Sequence, residues 1–274
     1  MKHFVVQGGT DGMGRAIALA CLKRGDAVVV IGRDQQKGES FLAAAAESAA
    51  AERASFIRAD LGLISENERV VQWIADNLPA VDGLVLCARH YLTQRRETVE
   101  GREATFALFY LSRYLLCHGL RHLLEEAAEP VIMNVAGPGS AMGEINWQDL
   151  EFTRNYHGLA AQMQGGRAND LLGVAFADKY GSGRTRYVLF NPGSVSTSFS
   201  GEYDAGTKRH IEAMKRTAKP VEAGIAPIVD KLYAPPADAL SAFMEGRRLS
   251  LEDSSFDLRD ARRLDERTRQ LLSL

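Results

Sequence analysis

Short apolar runs rich in β-branched residues alternate with longer helical segments through the first 190 residues of this chain. Residues 27–31 are typical, because a continuous apolar run of this kind marks a strand that is buried on both faces. Such strands, alternating with helices, predict a parallel sheet covered on both sides and joined by right-handed crossovers. The sequence therefore predicts an α/β fold of the Rossmann type, a single doubly wound parallel sheet.

The predicted elements follow from hydrophobic periodicity and from the glycines that end each segment. The predicted strands are residues 4–6, 27–31, 54–59, 81–87, 130–135 and 186–190. The predicted helices are residues 12–24, 38–53, 66–77, 98–126 and 160–179.

The segment from residue 194 to about residue 240 is less regular than the rest, with glycine at 201 and 206 and proline at 220, 235 and 236. It follows the sixth predicted strand, so it leaves the sheet at the carboxyl edge, where ligands bind in doubly wound folds. We predict a lid over a cleft; the alternative is a surface excursion without a role. No internal repeat or linker interrupts residues 1–274, which predicts one domain.

The composition excludes several classes of partner. Hydrophobic residues make up 46% of the chain, and 33 basic against 35 acidic residues leave a net charge of −2. A charge this small gives no strong field for nucleic acid or anionic lipid. No run approaches the roughly 18 apolar residues of a membrane-spanning helix, and no signal-peptide pattern follows the first strand. We therefore predict a cytoplasmic protein with no membrane or nucleic-acid partner.

The three cysteines, Cys21, Cys87 and Cys117, lie far apart in the sequence. This spacing predicts neither a disulfide framework nor a metal site. Buried free thiols in a reducing compartment are the simplest interpretation.

A glycine-rich segment joins the first predicted strand to the first predicted helix, with Gly8, Gly12 and Gly14 at its turns. Glycine permits the tight turn and lets the backbone approach a pyrophosphate closely. The helix start adds free N–H groups and a partial positive charge. The segment thus predicts a dinucleotide site. Its predicted contacts are Gly8, Thr10, Asp11, Gly12, Met13 and Gly14.

The glycine spacing, GxxxGxG, resembles that of the short-chain dehydrogenase/reductase family, and the resemblance extends over most of the chain. Asp60 and Leu61 match the family's adenine-contacting segment, residues 87–89 stand at its Asn-Ala-Gly motif, and residues 191–197 match the PGxVxT loop beside the nicotinamide. Residues 98–107 and 260–264 resemble retinol-dehydrogenase-like members. The resemblance implies oxidoreductase activity and further cofactor contacts. These are Asp60, Leu61, Cys87, Ala88, Arg89, Pro192, Gly193, Val195 and Thr197.

The end of the second strand bears on the choice of cofactor. An NAD enzyme places a carboxylate there to accept from the ribose 2′-hydroxyl, whereas this chain has Gly32 followed by Arg33. A guanidinium fork suits a 2′-phosphate. We predict NADPH, although Asp34 next door could repel the phosphate or bind a ribose.

Members of the family use an Asn, Ser, Tyr and Lys tetrad, in which the tyrosine protonates the carbonyl oxygen and the lysine lowers its pKa. The resemblance puts these four positions at Phe109, Gly137, Gln162 and Gly166. The chain is therefore predicted to be an atypical member without the tetrad.

A displaced proton donor stays open as an alternative. Neither Tyr156 nor Tyr180 has a lysine four residues later, and Ser140 could replace the serine only if the strand end were bulged. His90 follows the fourth strand, and histidine is the usual donor near neutral pH. Gln162 can donate a hydrogen bond but no proton.

The missing side chains leave room for a large flat ligand beside the nicotinamide. We predict substrate contacts at Gly137, Gln162, Phe199 and Tyr203, and a cover that also includes Trp147, Phe152 and Tyr156. Cofactor motifs without an acid resemble the atypical reductases that tailor aromatic polyketides, angucyclinone ketoreductases among them. The resemblance implies NADPH-dependent reduction of a polycyclic aromatic ketone in antibiotic biosynthesis, with the proton coming from a hydroxyl of the substrate.

A different class of function is a catalytically inactive scaffold of the same fold, acting as a sensor, an assembly partner or a cyclase that keeps NADP for structure. An open nicotinamide face under an aromatic lid would favour turnover. A pocket filled by protein side chains would favour the scaffold. A homo-oligomer is compatible with either.

Overall fold

A computed structural model describes residues 1–273 of the chain, and His210 by its backbone alone. Ten strands are present in this part of the chain. They are β1 (His3–Gln7), β2 (Ala27–Gly32), β3 (Ala54–Arg58), β4 (Gly83–Leu86), β5 (Tyr91–Leu92), β6 (Val131–Val135), β7 (Arg186–Asn191), β8 (Gly201–Glu202), β9 (Leu240–Met244) and β10 (Arg247–Arg248).

The helices lie between these strands. They are α1 (Gly12–Lys23), α2 (Gln35–Glu47), α3 (Ile64–Asn77), α4 (Ala104–Phe106), α5 (Ser112–Gly119), α6 (Arg121–Glu126), α7 (Gly158–Tyr180), α8 (Ala205–Thr217), α9 (Val221–Tyr233) and α10 (Leu258–Leu272), with a π-helical stretch at Ala107–Leu111 and 3-10 turns at Ala51–Arg53 and Ser254–Phe256.

The central sheet has eight strands in the order β10-β9-β7-β6-β4-β1-β2-β3. Every neighbouring pair is parallel except β9 and β10. The strand order reverses between β1 and β4, and a crevice opens at the carboxyl edge of such a reversal. The predicted doubly wound α/β fold is confirmed. Strands β5 and β8 form a separate small sheet that the sequence did not predict.

The two faces of the sheet carry separate apolar cores. Val5 and Leu84 pack into one core with α3, α5, α7 and α10, while Phe4 and Val30 pack into the other with α1, α2 and α9. This arrangement explains the continuous apolar runs in the sequence, because successive strand residues point to opposite faces and both faces are covered.

The predicted helix over residues 98–126 is wrong at its start. Gly101 adopts a left-handed conformation with φ +75°, and the helical segment begins at Ala104. The Glu103 carboxylate caps it by accepting from the backbone N–H groups of Thr105, at 2.8 Å, and Phe106, at 2.6 Å. A π-helical stretch then carries Phe109, and the backbone breaks again at Leu120 between α5 and α6.

Two other predicted segments also differ from the structure. The predicted helix over 38–53 starts earlier, because Asp34 caps α2, and ends at Glu47, since Ala49 adopts a left-handed φ of 52°. The segment after β7 is more regular than predicted, since it holds α8 and α9. Ile228 and Leu232 of α9 are fully buried against α1, so only the part before α9 lies over the cleft.

Two adjacent glycines of α7 give a stability test of the packing. A methyl group on Gly165 would lie 2.5 Å from the Phe109 ring, whereas one on Gly166 meets no atom within 4 Å. We expect Gly165→Ala to destabilise the fold by roughly 1–3 kcal/mol, as overpacking does. Gly166→Ala should stabilise it by about 0.5–1 kcal/mol, because alanine loses less backbone entropy. Urea unfolding measures the free energy of unfolding of both variants. Equal changes in that free energy would contradict the packing of Gly165 against Phe109.

Candidate active site

A cavity of about 630 Å³ opens at the carboxyl edge of the sheet, where the strand order reverses. It runs from the end of β3, across β2, β1 and β4, to the ends of β6 and β7. All sixteen predicted cofactor residues line it. They are Gly8, Thr10, Asp11, Gly12, Met13, Gly14, Arg33, Asp60, Leu61, Cys87, Ala88, Arg89, Pro192, Gly193, Val195 and Thr197.

The glycine turn after β1 brings three backbone segments into close contact. Gly8 has a φ of +74°, and a methyl group on it would lie 2.8 Å from the Ala88 nitrogen. A methyl group on Gly14 would collide with the carbonyl oxygen of Gly8. The glycines put no side chain of their own over this turn, and the Asp11 carboxylate caps α1 by accepting from the Gly12 N–H at 2.7 Å. This arrangement fits a dinucleotide pyrophosphate.

The adenosine end of the cavity carries a free guanidinium. Arg33 lines the cavity and has no ion-pair partner among the described residues. The Asp34 carboxylate instead accepts from the Lys37 backbone N–H at 3.1 Å and caps α2. Lys37, which the sequence analysis missed, forms an ion pair with Asp11. A carboxylate engaged as a helix cap competes less for a ribose hydroxyl.

The four positions that the resemblance assigns to the tetrad all line the cavity: Phe109, Gly137, Gln162 and Gly166. The floor at the two glycines is open. A methyl group on Gly166 meets nothing within 4 Å, and one on Gly137 meets only the Asn191 side-chain nitrogen, at 4.0 Å. At both positions there is therefore room for at least a first side-chain carbon without a close contact.

Gln162 is 3% exposed and anchors the loop that follows β4. Its side-chain nitrogen donates to the carbonyl oxygen of His90 at 3.1 Å. The side-chain oxygen has no hydrogen-bond partner among the described residues. A buried acceptor that lines a cavity and lacks a partner fits a ligand that brings a donor, such as a hydroxyl.

His90 also lines the cavity, and its Nδ1 lies 2.7 Å from the Ser200 hydroxyl. Burial lowers the pKa of His90 below its ordinary value, and the positive charge of Arg33 adds to this effect. The ring is therefore mostly neutral at pH 7, which makes it a poor source of a proton.

No tyrosine is among the described residues that line the cavity. The Tyr156 hydroxyl donates to the Leu92 carbonyl at 3.2 Å, and burial raises its pKa to about 12. Tyr180 ends α7 and packs on Phe176 with a ring separation of 5.0 Å. Neither hydroxyl is available to a carbonyl in the cavity.

The segment over the cleft contributes one aromatic wall. Phe199 lines the cavity in a left-handed conformation with φ 48°, which is rare for a bulky residue. Tyr203 does not line the cavity; its ring stacks on Tyr91 at 5.1 Å. Of the other aromatic residues predicted to cover the cleft, none lines it either. They are Trp147, Phe152 and Tyr156.

Sequence reasoning missed a fully buried cation beneath the cavity floor. Arg113 donates to the carbonyl oxygens of Ala88 and Val135, both at 3.1 Å, and lies 4.7 Å from the Phe109 ring. An arginine on an apolar helix face gives no sequence signal for such a role. Asn191 also lines the cavity; it lies in the segment 191–197 that the sequence analysis singled out, although it is not among the predicted contacts.

A model of the short chain dehydrogenase family matches residues 2–148 of the chain. The chain belongs to this family of oxidoreductases. It is 28% identical over 252 residues to a Streptomyces sp. (strain C5) protein named as a daunorubicin C-13 ketoreductase, DnrU, covering 91% of this chain and 84% of that one. Human polyprenol dehydrogenase is 26% identical over 164 residues, which is 58% of this chain and 50% of that protein.

Solved structures show the same fold. A Shigella flexneri 2a short chain dehydrogenase complexed with NADP superposes with a TM-score of 0.69 at 18% identity, over 90% of this chain and 97% of the other. NADPH bound carbonyl reductase from chicken fatty liver gives a TM-score of 0.69 at 14% identity, over 91% and 99%. Among the described helices, none combines the length and apolar character needed to cross a bilayer.

The two tyrosines give a direct test for a displaced acid. Because both hydroxyls lie outside the cavity, Tyr156→Phe and Tyr180→Phe should each leave the reduction of a hydroxylated polycyclic ketone within a few fold of wild type. Steady-state NADPH oxidation measures this. Loss of a general acid lowers the rate by roughly 10²–10⁴-fold, so a fall of that size would identify the variant's tyrosine as the donor.

Proposed function

We propose that this protein is an NADPH-dependent ketoreductase whose substrate is a polycyclic aromatic polyketide ketone with a neighbouring hydroxyl. The observation that carries the proposal is the open floor at Gly137 and Gly166, in the same cavity as the residues that we propose as the dinucleotide site. Such a floor has room for a flat ring system. The DnrU relative, named as a ketoreductase, supports the same class of reaction.

The proposed cofactor is NADPH rather than NADH. Arg33 presents its guanidinium at the end of β2, where a ribose 2′-phosphate would lie, and Asp34 is engaged as a helix cap. A bidentate guanidinium–phosphate contact is among the stronger polar interactions. The 2′-phosphate is therefore the group that Arg33 would hold.

The proposed mechanism takes its proton from the substrate. When bound, the reduced nicotinamide supplies a hydride. Hydride addition to a plain ketone would leave a strongly basic alkoxide in a cleft that, among its described lining, has no tyrosine to protonate it. A hydroxyl beside the carbonyl can pass its proton to the new alkoxide and become a phenolate, whose conjugate acid has a pKa near ~10 in a free Tyr-type phenol.

In this mechanism the protein contributes to catalysis by orienting the ketone. Phe109 and Phe199 contribute aromatic surface to the cavity, and Gln162 offers its unpaired oxygen to a ligand hydroxyl. Holding the ketone in a reactive geometry supplies the entropic part of rate enhancement without an enzyme-borne acid.

The alternative of an inactive scaffold, sensor or cyclase predicts a filled nicotinamide pocket. The open floor at the two glycines favours turnover instead. A role in antibiotic biosynthesis, a cytoplasmic location and a homo-oligomer stay predictions from the sequence.

The cofactor choice is tested with Arg33→Ala. Removal of the charge-assisted contact should weaken NADPH binding by roughly 1.5–3 kcal/mol, about 10- to 150-fold, and leave NADH nearly unchanged. Fluorescence titration of both cofactors measures the effect. Arg24→Ala is the matched control, because Arg24 is an exposed arginine at the other end of α1 that does not line the cavity. Equal losses for both cofactors would contradict the assignment.

The proton source is tested on the substrate itself. Methylation of the hydroxyl beside the ketone should abolish turnover while binding stays within a few fold, because the ether has no proton to give. Steady-state NADPH oxidation and ligand affinity are measured for both compounds. The control is the same substrate methylated at a remote hydroxyl, which should still be reduced. Undiminished reduction of the adjacent methyl ether would show that the acid belongs to the enzyme.

A further inference from the structure

Arg89 is an exposed cation on the cavity wall that follows directly after β4. Its side chain makes no hydrogen bond to a described residue, and no described carboxylate lies within 4.0 Å of it. It stands where the family motif, by the resemblance, has a glycine. No hydrogen bond or ion pair among the described residues uses this guanidinium.

The backbone on both sides of Arg89 is held in place. The Ala88 carbonyl accepts from the buried Arg113 guanidinium at 3.1 Å, and the His90 carbonyl accepts from Gln162 at 3.1 Å. The Ala88 N–H donates to the Gln7 side chain at 3.2 Å. These hydrogen bonds come from β1, α5 and α7, so the backbone from which the Arg89 side chain extends is held by three elements of the fold.

The distribution of charge makes Arg89 the cation of the nicotinamide half of the cavity. Three described arginine or lysine residues line the cavity, and two of them, Arg33 and Lys37, lie at the adenosine end. The carboxylates that line the cavity lie in the glycine turn after β1 or at the adenosine end. They are Asp11, Asp34 and Asp60. Strands β4 and β6 are neighbours, and Arg113 bridges the carbonyls of Ala88 and Val135. Arg89 therefore lies on the strand end next to the one that carries Gly137.

Tyr203 shows the direction of this effect on a phenol. Burial raises the pKa of the Tyr203 hydroxyl, and the charge of Arg89 opposes that rise. A phenol placed on the cavity side of Arg89 would feel the same attraction for its ionised form.

Resting on the proposed function, we propose that Arg89 binds and stabilises the substrate phenolate formed during reduction. The carbonyl carbon gains the hydride, the carbonyl oxygen takes the phenol proton, and the phenol oxygen keeps the electron pair until solvent returns a proton. The resemblance gives conventional members a lysine that lowers the pKa of a catalytic phenol. Here the phenol belongs to the substrate, and Arg89, on the loop that follows β4, has that role.

The test measures ionisation rather than turnover. The probe is 1-hydroxyanthraquinone, a polycyclic ketone with an adjacent hydroxyl whose visible absorption moves to longer wavelength when it ionises. It is titrated with base while bound to the NADP⁺ complex of the wild-type protein. We expect its pKa to fall by about one to two pH units relative to free probe, the size of a charge-assisted contact.

Three variants sharpen the result. Arg89→Gln should bring the bound pKa back to within a few tenths of a unit of free probe, and Arg89→Lys should keep most of the shift. Arg96→Gln is the matched control, because Arg96 lies on the same loop, pairs with Glu202 and does not line the cavity. It should retain the wild-type shift.

Other outcomes would overturn the proposal. An unchanged shift in Arg89→Gln would do so, as would failure of the wild-type complex to bind the probe saturably at pH 9. A loss of NADP⁺ affinity of tenfold or more in Arg89→Gln, with the probe shift intact, would assign Arg89 to the cofactor phosphates. The methyl ether experiment stays separate. If the ether is inert but Arg89→Gln changes nothing, the proposed function stands and this inference alone fails.

Discussion

The close approach of three backbone segments at Gly8, Gly14 and Ala88 is the constraint on which the site depends. It fixes where β1 turns into α1 and where β4 ends. The same contact therefore positions both the glycine turn and the loop that follows β4. A side chain at Gly8 or Gly14 would push these segments apart. Because Arg89 follows Ala88, the same packing also fixes the backbone from which the Arg89 side chain extends.

A buried polar network supports the open floor. The Asn134 side chain on β6 donates to the Asn169 side chain at 2.9 Å and to the Tyr187 hydroxyl at 2.8 Å, and it accepts from Arg113. Asn169 in turn donates to the Phe109 carbonyl at 2.8 Å. Most polar atoms of this network are paired, although the Nε of Arg113 has no partner among the described residues, and buried hydrogen bonds of this kind hold a core in one arrangement. The floor can therefore lack side chains without losing its shape, which an orientation-based mechanism needs.

The segment over the cleft contacts the loop that follows β4. Strand β8 pairs with β5, Tyr203 stacks on Tyr91, and Arg96 pairs with Glu202. These contacts are mostly exposed, and exposed ion pairs contribute little stability. They position Phe199 over the cavity while the fold itself rests on the two buried cores. The cover and the core thus depend on different interactions.

Strand periodicity in the sequence by itself determined the α/β fold, and glycine spacing determined the turn after β1. The resemblance to the family, read residue by residue, put Phe109, Gly137, Gln162 and Gly166 in the cavity. The helix start at Ala104 and the cap of α2 are local, because Glu103 and Asp34 accept from N–H groups two or three residues further on. Only the tertiary structure decided the exclusion of Tyr203 from the cavity and the hydrogen-bond partner of Gln162, because these depend on a ring and a carbonyl that lie in segments distant in sequence. The isolation of Arg89 from any described carboxylate belongs to the same class, since a missing partner has no sequence pattern.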